Sequence, residues 1–168
     1  VKRALLFVSV FLGVPVYSPA LADPIPVSLE PITHEEASIE VHASAGTIVS
    51  YTPAEIEQLP TYRVTTTTPW RSEPVDFDGV LLSDLLKKHS LNNAAELIVK
   101  AENDYSVEFL RKTWEAAPFL IATRVNGKPI SRRERGPIQF IVAADDYDRE
   151  TDISERHLVW MVSSIRLK

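Results

Sequence analysis

Apolar residues recur along this chain with two periods, and the period separates strands from helices. Ile39, Val41 and Ala43 alternate with polar neighbours, the pattern of a strand with one buried face. Ala45-Gly46 offers a turn into a second strand over residues 47–51. Thr52-Pro53-Ala54-Glu55 then announces a short helix that stops before Pro60. Thr52 caps it, Pro53 suits the first helical position, and Glu55 completes a capping box. Residues 62–67 are β-branched-rich and predict a strand, with another short one over 75–77. Leu82, Leu85 and Leu86 stand at helical spacing and predict a helix capped by Ser83 and running through His89.

Further strands are expected over 97–101, 106–109, 119–125, 137–143 and 157–167, with Asn126-Gly127 a hairpin turn after the third of these. Residues 145–155 are dense in acidic side chains and read as a charged loop. Residues 23–37, broken by Pro24, Pro26 and Pro31, read as an extended N-terminal arm. The sum is an α+β fold: one mixed, mostly-β domain over residues 38–168 with short helices.

Composition changes this picture at the N-terminus. Lys2 and Arg3 precede an apolar run over 4–16, which is shorter than the roughly 20 residues of a membrane span. Ala20-Leu21-Ala22 is a small-x-small cleavage site. Residues 1–22 are therefore expected to be a signal peptide cleaved after Ala22, which makes the protein periplasmic. The whole chain carries a net charge of −5, and removing the basic leader makes it more negative. That balance argues against binding nucleic acid or an anionic membrane. The chain has no cysteine, which excludes disulfides, thiolate catalysis, iron–sulfur clusters and Cys-ligated zinc. His34, His42, His89 and His157 lack metal-ligand spacing. No glycine-rich phosphate loop or nucleophile elbow occurs.

Three stretches carry candidate chemistry. The threonine row 65–68 makes a good strand, and its hydroxyls, Thr67 among them, can also hydrogen-bond an oxyanion; Pro69 ends it and Trp70 presents a flat apolar face with one N–H. Tyr105, in Asn103-Asp104-Tyr105-Ser106, lies in a loop between two expected strands and carries a phenol donor. Arg124, Lys128, Arg132, Arg133 and Arg135 cluster around the Asn126-Gly127 turn. A solvated face explains such a run, yet in an acidic chain it also suits an anion site.

The segment VTTTTPWRSEPVDFDGVLLSDLL, Val64 to Leu86, resembles the opening of the molybdopterin-binding domain of the sulfite oxidase family, with FDGVLLSDLL matching its W/F-x-G-V-x-L-x-D-L-L motif. AENDYSVEFL is similar to the family's G-x-A-Y-x-x-x-I-P-L stretch and aligns Tyr105 with an active-site tyrosine. ATRVNGKPISRRERGPIQFIV resembles A-x-x-x-N-G-x-P-L-x-x-x-H-G-x-P-V-R-V-V-V, which helps to hold the pterin phosphate. The likeness runs over residues 39–168. It implies that family's fold and, if a cofactor is bound, molybdopterin. The departures are specific. The family's molybdenum-ligating cysteine, upstream of the position of Gly79, falls among Thr66 to Thr68. Arg135 stands for a histidine, Gln139 for an arginine, and Val159 for the lysine before Trp160.

The leading expectation is a binding or accessory module without Cys-ligated molybdenum. Its old cofactor cleft, lined by Thr67, Trp70, Tyr105, Arg124 and Arg135, holds a small anionic or organic ligand, or docks a periplasmic or membrane sensor partner. The alternative is a molybdopterin-dependent oxidoreductase acting on an oxyanion. A third reading is an interaction domain that offers its sheet edges to another protein.

Overall fold

The computed structural model describes residues 23–43 and 46–168; the expected signal peptide and Ala45 of the expected turn lie outside them. The described chain builds eleven strands and four short helices. The first strand, β1 (Ile25–Val27), lies inside the expected arm and pairs antiparallel with residues 61–63. β2 (Ile39–His42) and β3 (Ile48–Tyr51) form the expected hairpin, with Ile39 and Val41 fully buried. Helix α1 (Pro53–Ile56) begins on the predicted capping box: Thr52 Oγ1 accepts from Glu55 N at 3.3 Å, and Glu55 Oε2 accepts from Thr52 N at 2.8 Å.

β4 (Thr61–Thr68) turns at Pro69-Trp70 into β5 (Arg71–Leu81), which is much longer than the expected 75–77. Residues 71–74 are polar and carry no alternation for a pattern to detect. They are strand because the two-residue turn folds them back along β4, where Thr68 pairs with Arg71. Helix α2 (Leu82–Lys88) buries Leu82, Leu85 and Leu86 as predicted, but its N-cap is Leu81, so Ser83 lies inside the helix and caps nothing.

β6 (Glu96–Ala101) and β7 (Ser106–Leu110) follow, then α3 (Arg111–Ala116), a helix the pattern did not predict, which buries Thr113 and Trp114. β8 (Leu120–Val125) is buried on both faces and hairpins through Asn126-Gly127 into β9 (Lys128–Pro129). Both turn residues have positive φ, 49° and 73°, the twist that two-residue hairpins favour. A 3-10 turn over Arg132–Glu134 leads to β10 (Gln139–Ile141).

Residues 144–149 correct the charged-loop reading: they form helix α4 (Ala144–Arg149). Asp145 and Asp146 in its first turn complement the helix dipole, and Arg149 near its end pairs with Asp146 and with Glu150. The expected strand 157–167 is likewise divided into a 3-10 turn (Glu155–His157), an irregular stretch and β11 (Val162–Leu167).

Two sheets result among the described residues. One runs β1-β4-β5-β8-β10 with β9 beside β8; the other runs β3-β2-β11-β6-β7, where β11 pairs parallel to β2. They meet where β10 passes the stretch before β11: Phe140 N donates to Val159 O at 2.7 Å, Val162 N to Ile138 O at 3.0 Å, and Gln139 bridges Trp160. The main core joins Val80, Ile121 and Phe140 of the first sheet to Ile39, Val41, Leu97, Val99, Phe109 and Ile165 of the second. Phe109 meets Phe119 and Phe140 edge-on at 5.4 and 5.7 Å, each contact worth about 1 kcal/mol beyond its area. A smaller cluster around Val64, Phe77, Leu120, Ala122 and Ile141 covers the other face of the first sheet. The architecture is the expected mixed, mostly-β α+β domain.

Candidate functional site

The seam between the sheets opens into a cleft of about 390 Å³, lined by Trp70, Asn103, Tyr105, Arg135, Arg156 and Trp160 together with Glu155, Leu158 and Met161. Trp70 reaches it from the β4–β5 turn, Tyr105 from the β6–β7 loop, and Arg135 from the end of the 3-10 turn before β10. Arg135 is the centre. Its guanidinium carbon lies 4.7 Å from the ring centroid of Trp70 and 4.7 Å from that of Trp160, over both indole faces. Each contact is attractive by about 0.5–2 kcal/mol, more as water is excluded. Its Nε is buried and has no hydrogen-bond partner. A buried atom is out of reach of a molecule in the cleft, so the Nη groups are what Arg135 offers there.

The backbone around the cleft is bent to hold this arrangement. Asp104, Arg135 and Met161 all have positive φ, 66°, 70° and 52°. For a residue as bulky as Met this region is unfavourable, and such conformations concentrate at functional sites. Hydrogen bonds hold the loops together: Met161 N donates to Arg135 O at 3.3 Å, Glu102 N to Met161 O at 2.9 Å, and the Tyr105 hydroxyl to Arg156 O at 3.2 Å. Gly136 is required beside Arg135, because a Cβ there would stand 2.1 Å from Ile130 O. Two aromatics are exposed there beside the polar Asn103, Glu155 and Arg156: Tyr105 and Trp160 are each 42% accessible.

Of the five residues expected to line one site, the structure brings three together: Trp70, Tyr105 and Arg135. Thr67 lines a neighbouring hollow of about 260 Å³ with Pro69, Val142, Tyr147 and Leu158; Leu158 separates the two. Arg124 is elsewhere. It is 4% exposed, and its guanidinium donates to Glu57 Oε1 at 2.9 Å, Glu57 Oε2 at 2.6 Å and Glu30 O at 2.8 Å. Thr123 Oγ1 also donates to Glu57, at 2.6 Å, and His34 Nε2 lies 3.1 Å away. Burial pushes the Glu57 carboxyl up, but the hydrogen bonds from Arg124 and Thr123, with the charges of His34 and Arg124, outweigh it and hold it below the usual carboxylate range. Arg124 thus fastens the N-terminal arm to α1 and β8. Arg132 is also committed, to Glu102 and Glu35. The basic run that reads as one anion site is dispersed, because a turn and a 3-10 segment send successive arginines to different faces. Arg156 and Trp160 line the cleft without having been expected there. The one sequence sign of either was Trp160, retained beside the altered Val159.

The threonines fit poorly as stand-ins for a metal-binding thiolate. Thr66 is fully buried, and its hydroxyl is used twice: it accepts from Ala144 N at 2.8 Å and donates to Thr67 O at 3.1 Å. It anchors the start of α4. Thr68 Oγ1 is buried with no partner, but a neutral hydroxyl is a weak donor to a transition metal. Val159 is fully buried in the core, and Gln139 is 2% exposed, so neither position presents a cation. Among the described residues no cluster of His, Cys, Asp and Glu is arranged to hold a metal ion. These residues do not fit a Cys-type molybdenum centre.

No protein-family model matches the chain. No curated protein matches it either. Solved structures do: the sulfane dehydrogenase SoxCD from Paracoccus pantotrophus superposes with a TM-score of 0.58 at 12% identity, over 83% of this chain and 39% of that chain. The chain thus spans well under half the length of that protein. At this identity the likeness shows the fold alone: a mixed α+β domain, mostly strands with a few short helices.

Proposed function

We propose that this chain is an exported binding or accessory module built on a sulfite-oxidase-type molybdopterin fold, whose cleft holds a small anionic organic ligand. Arg135 carries the reading. A guanidinium set against Trp70 and Trp160 in the cleft, on a backbone fixed at positive φ, is a preorganised cationic site suited to an anion. Tyr105 and Arg156 add an aromatic ring and a second cation at the rim, tied together by the bond from the Tyr105 hydroxyl to Arg156 O. The volume, about 390 Å³, falls at the small end of the roughly 300–1,000 Å³ typical of ligand pockets. The occupied form would then be read by a periplasmic or membrane sensor protein. Calorimetric titration with organic anions tests the site. Arg135→Ala is expected to abolish detectable binding and Tyr105→Phe to weaken it several-fold. Unchanged affinity in both variants rejects the assignment.

One observation favours a second reading. The fold is shared with a protein named as a dehydrogenase, and the resemblance in sequence is to molybdopterin oxidoreductases. In that reading molybdopterin is held without a protein thiolate, and Tyr105 and Arg135 bind an oxyanion. The committed state of Thr66, Arg124 and Arg132 argues against it, since only Arg135 and Arg156 are left in the cleft to neutralise a phosphorylated cofactor.

A further inference from the structure

The geometry points to a ligand class for this cleft: a planar carboxylate on a flat apolar body, rather than a tetrahedral oxyanion such as sulfate or phosphate. This deepens the binding-module reading and rests on it.

The reasoning starts from which directions around Arg135 are free. Its guanidinium carbon lies 4.7 Å from each of two indole centroids and over both ring faces. The directions that the two indoles occupy are closed to a ligand. What remains is the end of the guanidinium away from the buried Nε, where the Nη N–H bonds lie in one plane as a fork. A carboxylate matches that fork with two coplanar oxygens and continues the same plane between the rings. A tetrahedral anion that offers two oxygens to the fork must place its other two out of the fork plane, which a slot walled by two indole faces accommodates less well than a flat group. Those faces carry negative quadrupole potential and repel an anionic oxygen.

The rest of the lining fits the same class. Trp160 and Tyr105 leave aromatic surface exposed at the mouth, 42% accessible each, which suits a flat apolar body; Leu158 and Met161 add apolar wall. The cleft has two arginines, Arg135 and Arg156, against one carboxylate, Glu155, so its excess of one positive charge matches a monoanion. A dianionic phosphate or sulfate would leave charge uncompensated beside Glu155.

The test is titration of the full chain with trans-cinnamate, sulfate and phosphate. Fluorescence of Trp70 and Trp160 and calorimetry are the readouts; the remaining tryptophan, Trp114, is buried in the core. The expected result is saturable cinnamate binding at least tenfold tighter than either inorganic anion, weakened about tenfold in Arg135→Lys, which keeps the charge and loses the fork. Trp160→Ala, at a part-exposed position, is expected to weaken cinnamate and to strengthen sulfate relative to it, since one indole face is removed; a variant that keeps full cinnamate affinity counts against the ligand class. Sulfate or phosphate binding as tightly as cinnamate overturns the ligand class and leaves the anion-binding reading standing. Full cinnamate affinity in Arg135→Lys also overturns it. Failure of every probe to bind up to about 10 mM, with the protein folded by circular dichroism, overturns both.

Discussion

Single residues in this protein divide between those that stabilise the fold and those that line the cleft, and charge alone does not sort them. Arg124 and Arg135 look equivalent in sequence. The first is fully engaged by Glu57 and Glu30, the second is stacked and under-bonded. Arg124→Met strands the Glu57 carboxylate in the interior and is expected to cost about 3–5 kcal/mol in urea unfolding. Adding Glu57→Leu should restore much of that loss, and neither change should alter ligand affinity in the folded fraction. His157 predicts a pH dependence. Burial against Phe109, helped by the nearby Arg156 charge, lowers it to about 4, and Nδ1 accepts from Ser154 N at 3.0 Å. The unfolded chain takes up the proton near pH 6.5 and the folded chain only near 4, so stability is full above 6.5 and falls as pH drops through that window. The loss is roughly 3 kcal/mol at most. His157→Gln should flatten the slope between pH 6.5 and 4, measured by denaturant midpoints; an unchanged slope would assign it to carboxylates such as Glu57.

At the scale of elements, the pattern of the chain was most legible where one face is buried. β2, β6 and β7 alternate as predicted, α2 buries its three leucines, and the capping box at Thr52 forms. Thr52→Ala should cost about 1 kcal/mol in thermal unfolding. Elements defined by partners rather than by their own pattern were illegible. Residues 71–74 become strand only because a hairpin returns them to β4, and 144–149 become helix because Thr66 anchors the first turn and Arg149 pairs with Asp146 and Glu150. Gly79, the glycine of the family-like motif, has a packing reason: a Cβ would lie 2.0 Å from Ile121 O across the β5–β8 pairing, at its bulge. Gly79→Ala must separate these strands and is expected to destabilise by about 2–3 kcal/mol, read from the urea midpoint.

The whole molecule explains how much of the site could be read in advance. Trp70, Tyr105 and Arg135 come from three separate loops, and only the seam between two sheets brings them to one cleft with Trp160 and Arg156. Resemblance found the first three because each stands in a motif. It did not separate Arg124 from them, because burial depends on where Glu57 lies, 67 residues away in the chain. At this scale the Thr66 hydroxyl pins a helix, the buried Gln139 side chain reaches only Glu134 O at 3.5 Å, and Val159 fills the core. Positions that the resemblance would turn towards a cofactor serve the scaffold, while the cleft has aromatic walls and a guanidinium. The most direct test of that claim is the molybdenum and pterin content of the protein purified from cells that make the cofactor. The account predicts far less than one molybdenum per chain and no pterin fluorescence after denaturation, whereas stoichiometric molybdenum with pterin would contradict it.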